Sequence, residues 1–196
     1  MANQMRFDDL NEAVYQSIVK LFQCFSKHPA IFWTEADVTS YLYGLLINDP
    51  AFKNSLAWFE SKEFPKKSKT LLVHVNAQDQ TKSKDKYYDL LILKPKKYLK
   101  DEIDKDDEAS VIGIEIKFNR RDPTRKEKSN IESDIRKVAQ MRRGYVLWLN
   151  SRGKIGEEHL KRAERLAGKL GVKLLYLDLS LKCEISPRSN VKELLT

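Results

Sequence analysis

Apolar residues recur at helical spacing in the first quarter of the chain. The spacing predicts a helix over Phe7–Phe25 that ends at Pro29. Thr34, with Asp37 three residues later, has the form of a capping box and predicts a second helix that runs to about Ile47. The residues expected to face the core are Leu10, Val14, Ile18, Leu21 and Phe25 in the first helix, and Val38, Leu42 and Leu45 in the second.

In the middle of the chain the hydrophobic residues no longer recur at helical spacing. Three short segments rich in branched and aromatic residues predict strands at Thr70–Val75, Tyr87–Leu93 and Val111–Phe118. Residues 94–109, between the last two, are highly charged and predict a solvated hairpin loop. Because hairpins join antiparallel neighbours, we expect these strands to form an antiparallel meander.

Strands and helices alternate in the last third. The pattern predicts a helix at Asn130–Arg143, a strand at 144–150, a helix at about 156–170 with Gly171 after it, and a strand at 172–179. Strand–helix–strand units form parallel crossovers, so the fold class is α/β, a mixed β-sheet with helices on both faces. The expected inward residues are Ile131, Ile135 and Val138, then Leu160, Ala163, Ala167 and Leu170.

Composition narrows the chemistry. The 196 residues predict a single domain over 1–196, and a net charge of +8 favours a polyanionic partner. The two cysteines and three histidines have no metal-binding spacing, which argues against a zinc or copper site, so any metal would have to be held by carboxylates. The sequence also lacks the glycine-rich motifs that bind phosphate groups. No apolar run is long enough for a membrane span, so we expect a soluble, intracellular, cytoplasmic protein.

Acidic residues lie where strands should be apolar. Asp89 lies within one predicted strand, and Glu115 and Lys117 share one face of the next. If these strands form a hairpin, the pairing brings Asp89 opposite Glu115, with side chains roughly 5 Å apart. Two carboxylates that close repel each other unless one is protonated or a cation lies between them. A divalent cation would remove the conflict, and Lys117 would lie beside it.

Glu35 joins this set by helical periodicity. It lies three residues before Val38 and so shares the inward face of its helix, where an acid is costly unless it is paired or linked to a metal. The alternative is that Glu35 only favours the helix N-terminus, where acids are common. Both interpretations stay open on the sequence.

This combination of residues resembles a known family. Asp89, the Glu115-x-Lys117 motif at the end of the next strand, Glu35 upstream and an amphipathic basic helix downstream resemble the PD-(D/E)XK nuclease superfamily. The resemblance covers about residues 30–150, although Tyr88 stands where many members have proline. It implies a restriction-endonuclease-like αβββαβ core, here with N-terminal helices and a C-terminal αβ extension.

The resemblance also implies an activity. It is the hydrolysis of phosphodiester bonds, in DNA by preference and in RNA as the second choice, with Mg²⁺ or Mn²⁺ as cofactor. Asp89, Glu115 and the backbone carbonyl of Ile116 would hold the ion, Glu35 would support it through water, and Lys117 would activate the attacking water. The alternative function is a catalytically inactive nuclease-like module that binds nucleic acid or a protein partner.

A basic helix face is the candidate surface for nucleic acid. Such a face could follow a phosphate backbone, although a merely solvated face is an equal alternative. Cleavage of both strands with one site per chain would favour a homodimer. The candidate contacts are Lys126, Lys128, Arg136, Lys137 and Gln140. Lys137 and Gln140, roughly one turn apart, could instead point to the acidic site, and the sequence does not fix the helix phase well enough to choose. Four aromatic residues are expected to pack in the core or at edges rather than stack on bases: Trp33, Tyr87, Tyr88 and Trp148.

Overall fold

The computed structural model describes residues 7–53, 56–60, 68–78, 87–93, 98–100, 110–120, 125–151 and 156–179. The helices are α1 (Phe7–Lys27), α2 (Glu35–Asn48), α3 (Pro50–Lys53), α4 (Arg125–Val138) and α5 (Glu157–Leu170). The strands are β1 (Leu56–Glu60), β2 (Ser68–Leu71), β3 (Val73–Gln78), β4 (Tyr87–Leu93), β5 (Tyr98–Lys100), β6 (Ser110–Asn119), β7 (Arg143–Asn150) and β8 (Lys173–Asp178). Within these ranges, no helix combines the length and the apolar character needed to cross a bilayer.

A five-stranded mixed sheet organises the fold. Its order is β3-β4-β6-β7-β8, with β3, β4 and β6 antiparallel and β6, β7 and β8 parallel. The helices α2, α4 and α5 pack against its strands, and α1 packs on α2. The predicted α/β class, the antiparallel meander and the parallel crossovers are confirmed.

A second, three-stranded sheet was not predicted. Its order is β2-β1-β5, with β2 antiparallel and β5 parallel to β1. The strand predicted at Thr70–Val75 is therefore wrong as a single unit, because the chain leaves one sheet at Leu71 and enters the other at Val73. The loop predicted at 94–109 contains β5, which becomes a strand because β1 pairs with it. The rest of that loop lies outside the described residues.

The two N-terminal helices follow the predicted pattern closely. All five residues expected to face the core from α1 are buried. The capping box of α2 is confirmed, because Thr34 Oγ1 accepts from the Asp37 N–H at 3.2 Å and Asp37 Oδ2 accepts from the Thr34 N–H at 2.8 Å. Leu46, rather than the predicted Leu45, completes the buried stripe, since it follows Leu42 by a full helical turn.

The helix predicted at Asn130–Arg143 ends earlier, at Val138. Its residues Ile131, Ile135 and Val138 are buried as predicted. Arg143 belongs to β7, and the chain approaches α4 so closely there that a Cβ on Gly144 would lie 2.5 Å from the carbonyl oxygen of Val138. Only glycine fits this contact, which brings the end of α4 next to the sheet.

The last helix and strand match the prediction with one exception. Gly171 ends α5 in the left-handed conformation, with φ of 68°. Ala163 and Ala167 are buried as predicted, but Leu170 is exposed, because it lies in the last turn, where the chain already leaves for β8.

Candidate carboxylate and lysine site

The register of β4 and β6 brings two acids together. Leu90 pairs with Ile114, so the predicted pairing of Asp89 with Glu115 follows one residue further along both strands. The backbone N–H of Ile116 donates to Asp89 Oδ2 at 2.6 Å, and the backbone N–H of Asp89 donates to Glu115 Oε1 at 3.3 Å. Each carboxylate is thus held by the backbone of the opposite strand.

Glu115 is the most deeply buried acid of this group. Its residue is 2% exposed. Burial, and next the charge of Asp89, raise the pKa of Glu115 to about 8, while Lys137 acts in the opposite direction. At neutral pH and without a metal, this carboxyl group holds a proton or shares the ammonium proton of its lysine partner.

Lys137 reaches this acid from α4. Its Nζ lies 2.5 Å from Glu115 Oε2 and donates to the Tyr87 carbonyl oxygen at 2.7 Å. The same ammonium lies 5.5 Å from the centre of the Tyr88 ring. The sequence left open whether Lys137 lies on a nucleic-acid surface or points to the site, and its side chain turns inward because Glu115 and the start of β4 offer it three contacts.

Lys117 forms a second ionic group beside the first. Its Nζ lies 3.6 Å from Glu35 Oε1 and 3.5 Å from Asp134 Oδ2. Burial alone would lower the pKa of Lys117, but the charges of Asp134 and Glu35 outweigh it, so the pKa is raised. Glu35 therefore reaches the site, as its place on the helix predicted, and its own pKa is raised, chiefly by burial.

Asp134 is a site residue that the sequence reading missed. It is buried on α4, and its Oδ2 has no hydrogen-bond partner although Lys117 Nζ is within ion-pair distance. Burial raises the pKa of Asp134, against the charge of Lys117. The signal was present, because Asp134 falls between Ile131 and Ile135 on the buried face of the helix.

Two of the other residues assigned to the basic face lie at the surface. Arg136 is exposed and pairs with Glu132 at 3.6 Å, one helical turn away. Gln140 is exposed beyond the end of α4. The side chains of Lys126 and Lys128 lie outside the described residues. A nucleic-acid contact at these four positions stays a prediction.

The aromatic residues divide into two pairs. Tyr88 and Trp148 are buried, as predicted. For Trp33 and Tyr87 the prediction of packing is wrong, because they are 67% and 54% exposed. Both lie two residues before an acid of the site in the sequence, Glu35 and Asp89 respectively. The site is therefore flanked by exposed rings.

The donors present suit a hard cation better than a soft one. Among the described residues, no group of three or more His, Cys, Asp or Glu side chains could hold a metal ion. The residues that could hold one are Asp89 and Glu115, with the Ile116 carbonyl oxygen that the sequence assigned, and Mg²⁺ commonly takes one or two carboxylates and completes its shell with water and phosphate. The crowding of Asp89 and Glu115 is a feature that a nearby cation would relieve. The residues fit Mg²⁺ or Mn²⁺ in this sense.

Comparisons with known proteins add little to this geometry. No protein-family model matches the chain, and no curated protein matches it. The chain is similar to the structure of Pyrococcus furiosus SfsA in complex with Ca²⁺, with 15% sequence identity and a TM-score of 0.29. The match covers 56% of this chain and 51% of that one, so the chain spans about half of that protein. At these values the likeness carries no argument about function.

Proposed function

We propose that this protein is a metal-dependent nuclease that hydrolyses phosphodiester bonds, in DNA by preference. The observation that carries the proposal is the pair of hydrogen bonds that joins Asp89 to the Glu115–Ile116 segment on the neighbouring strand. Burial and the charge of Asp89 disfavour the ionised form of Glu115, so the pairing of the two acids has no structural benefit of its own. A role in cation binding would explain why Asp89 and Glu115 lie together.

Asp89, Glu115 and the Ile116 carbonyl would hold Mg²⁺ or Mn²⁺. When bound, the ion would lower the pKa of a water molecule and neutralise charge on the phosphoryl oxygens. The backbone hydrogen bonds to Asp89 and Glu115 fix the two carboxylates before the ion arrives, so little reorganisation is needed.

Lys117 acts in this proposal as a charged donor rather than as a base. Its raised pKa keeps the ammonium group protonated at neutral pH, and the acids Glu35 and Asp134 hold it beside Glu115 on the same face of β6. A protonated lysine can orient an attacking water and stabilise negative charge on the phosphate, but it cannot remove a proton from water. Glu35 and Asp134 are positioning residues for this lysine.

One observation favours the alternative, a module that binds nucleic acid or a protein without cleavage. Lys137 already supplies a cation to Glu115, so the metal-free site is partly neutralised by the chain itself. In a nuclease this contact must open or be shared when the ion binds. In a binding module it would persist, and divalent cations would change neither stability nor activity.

The test is a cleavage assay with plasmid, linear duplex DNA, single-stranded DNA and RNA, each with Mg²⁺, Mn²⁺ or EDTA. We expect cleavage with Mg²⁺ or Mn²⁺, none with EDTA, and none with Asp89→Asn under any condition. Lys161→Ala is the matched control, because Lys161 is an exposed lysine of α5 paired with Glu157. Equal cleavage by Asp89→Asn and the control, or no cleavage of any substrate, would overturn the proposal.

A further inference from the structure

Trp33 is a large apolar side chain left open to solvent beside the candidate site. It is 67% exposed, more than any other large hydrophobic side chain among the described residues. Exposure of this extent leaves most of the indole surface free, even though Arg120 lies over the ring. A single exposed apolar side chain is ordinary, so a binding role has to rest on how this ring is held and on what lies beside it.

The ring is held in place rather than loose. The guanidinium of Arg120 lies 4.9 Å from the centre of the Trp33 ring. The backbone N–H of Trp33 donates to Asp37 Oδ2 at 2.9 Å, inside the capping network of α2. A ring fixed on one face by a cation loses little freedom when a second flat group stacks on it.

Trp33 and Arg120 are each close in sequence to a residue of the ionic group around Lys117. Trp33 precedes Glu35 by two residues, a span of at most about 7 Å, and Glu35 contacts Lys117. Arg120 follows Lys117 by three residues at the end of β6. The Trp33–Arg120 pair therefore lies within a nucleotide or two of the candidate catalytic group.

We infer that Trp33, held by Arg120, stacks on an unpaired base next to the phosphate that is cleaved, so the substrate class is nucleic acid with unpaired nucleotides. This inference rests on the proposed function for the position of that phosphate. Every base has a π-face, and stacking on an aromatic side chain contributes about 1–3 kcal/mol per base. Inside a duplex both faces of each base already stack on neighbouring bases, so stacking on Trp33 needs a single-stranded segment or an end.

The charge around Trp33 favours nucleic acid over an apolar protein surface as the partner. The exposed indole is bordered by Arg120, and the chain carries a net charge of +8. A flat apolar ring next to a cation matches a base joined to a phosphate, whereas an apolar protein patch would leave the guanidinium without a partner.

The experiment measures affinity and cleavage separately. Fluorescent single-stranded DNA, single-stranded RNA and duplex DNA of one sequence are titrated in EDTA, and the same oligonucleotides are then assayed with Mg²⁺ and Mn²⁺. The variants are Trp33→Ala, Trp33→Phe and Arg120→Ala. Leu170→Ala is the matched control, because Leu170 is an exposed apolar residue at the far end of α5.

We expect Trp33→Ala to weaken single-strand binding about tenfold, in the range that loss of one stacked base gives. Trp33→Phe should lose less than about threefold, since it keeps a ring. Duplex binding and the control should be unchanged, and Arg120→Ala should weaken single-strand binding with an unaltered melting temperature. Equal single-strand affinity of Trp33→Ala and the control would overturn the inference.

The two proposals fail in different ways. Metal-dependent cleavage with no selective loss in Trp33→Ala refutes the stacking surface and leaves the nuclease in place. Selective loss of single-strand binding in Trp33→Ala, with no cleavage by the wild-type protein, refutes the nuclease and the position of a cleaved phosphate.

Discussion

The ammonium group of Lys137 lies 2.5 Å from Oε2 of Glu115, the most deeply buried acid of the candidate site. The other oxygen, Oε1, accepts from the backbone N–H of Asp89. Both oxygens of Glu115 are therefore engaged before any metal is present. A divalent cation must compete with Lys137 for Oε2, so this lysine sets how readily the site accepts an ion.

Lys137→Met tests that competition while keeping the length of the side chain. The metal-free protein should lose about 1–3 kcal/mol, less than for an obligatory buried ion pair, because Glu115 can take up a proton instead. Addition of Mg²⁺ should raise the melting temperature more than in the wild-type protein. Lys161→Met is the control, with a change below about 0.5 kcal/mol, because its pair with Glu157 is exposed. An Mg²⁺ response equal to the wild type would contradict the competition.

Glu115→Gln should separate catalysis from stability. The substitution keeps the shape of the side chain and removes the charge that repels Asp89, but it also removes the ion pair with Lys137, so the stability of the metal-free protein at pH 8 should change by less than about 1 kcal/mol. Cleavage should fall by orders of magnitude, because a metal-binding carboxylate is lost. Thermal melts in EDTA beside the cleavage assay check both. A variant that melts lower without metal and still cleaves would refute the mechanism.

The stability of the metal-free protein should decrease as pH rises from about 5 to 8. The folded-state pKa of Glu115 is about 8 against a reference of 4.5, so within that interval the folded protein keeps a proton that the unfolded chain has released. Stability therefore falls with increasing pH and levels off above the folded pKa. Melts in EDTA across this range measure the slope, and Glu115→Gln should make it shallower. Saturating Mg²⁺ should also reduce it, since the ion favours the ionised carboxylate.

Lys117→Ala should abolish turnover and leave metal binding largely intact. The variant leaves Glu35 and Asp134 without their shared cation, so the metal-free fold should lose about 1–3 kcal/mol. Mn²⁺ titration followed by melting temperature tests metal uptake, and single-turnover cleavage tests chemistry. Lys161→Ala, which breaks an exposed pair on α5, is the control and should retain both properties. Loss of metal uptake together with turnover would assign Lys117 to the ion site rather than to the phosphate.

Much of the fold could be predicted because local pattern and tertiary burial agree. The capping box of Thr34, the buried stripe of α1 and the continuously apolar β7 each have a spacing that only one element satisfies. The pairing of Asp89 with Glu115 was predicted by treating β4 and β6 as a hairpin, and the observed register leads to it although β5 of the second sheet lies between them. The first three features depend on neighbours along the chain.

The inward turn of Lys137 and the burial of Asp134 were decided by tertiary structure. Helical spacing alone did not fix the rotation of α4 closely enough to say which polar residues meet the sheet. That rotation depends on the contact of Gly144 with the end of the helix and on the pairing of Lys117 and Glu115 of β6 with residues of α4, and helical spacing describes neither contact.

The second sheet and the exposed ring of Trp33 were likewise decided by tertiary structure. β5 is a three-residue strand inside a charged segment, and it pairs with a strand about forty residues earlier that the local pattern does not reveal. Trp33 is a large apolar residue of the kind expected in a core, but the cap of α2 and Arg120 hold it at the surface. The sequence by itself determined the elements and the acidic pair, because periodicity and strand register are local. Only the tertiary structure decided which charges meet and which rings stay open, because both depend on partners far away in the chain.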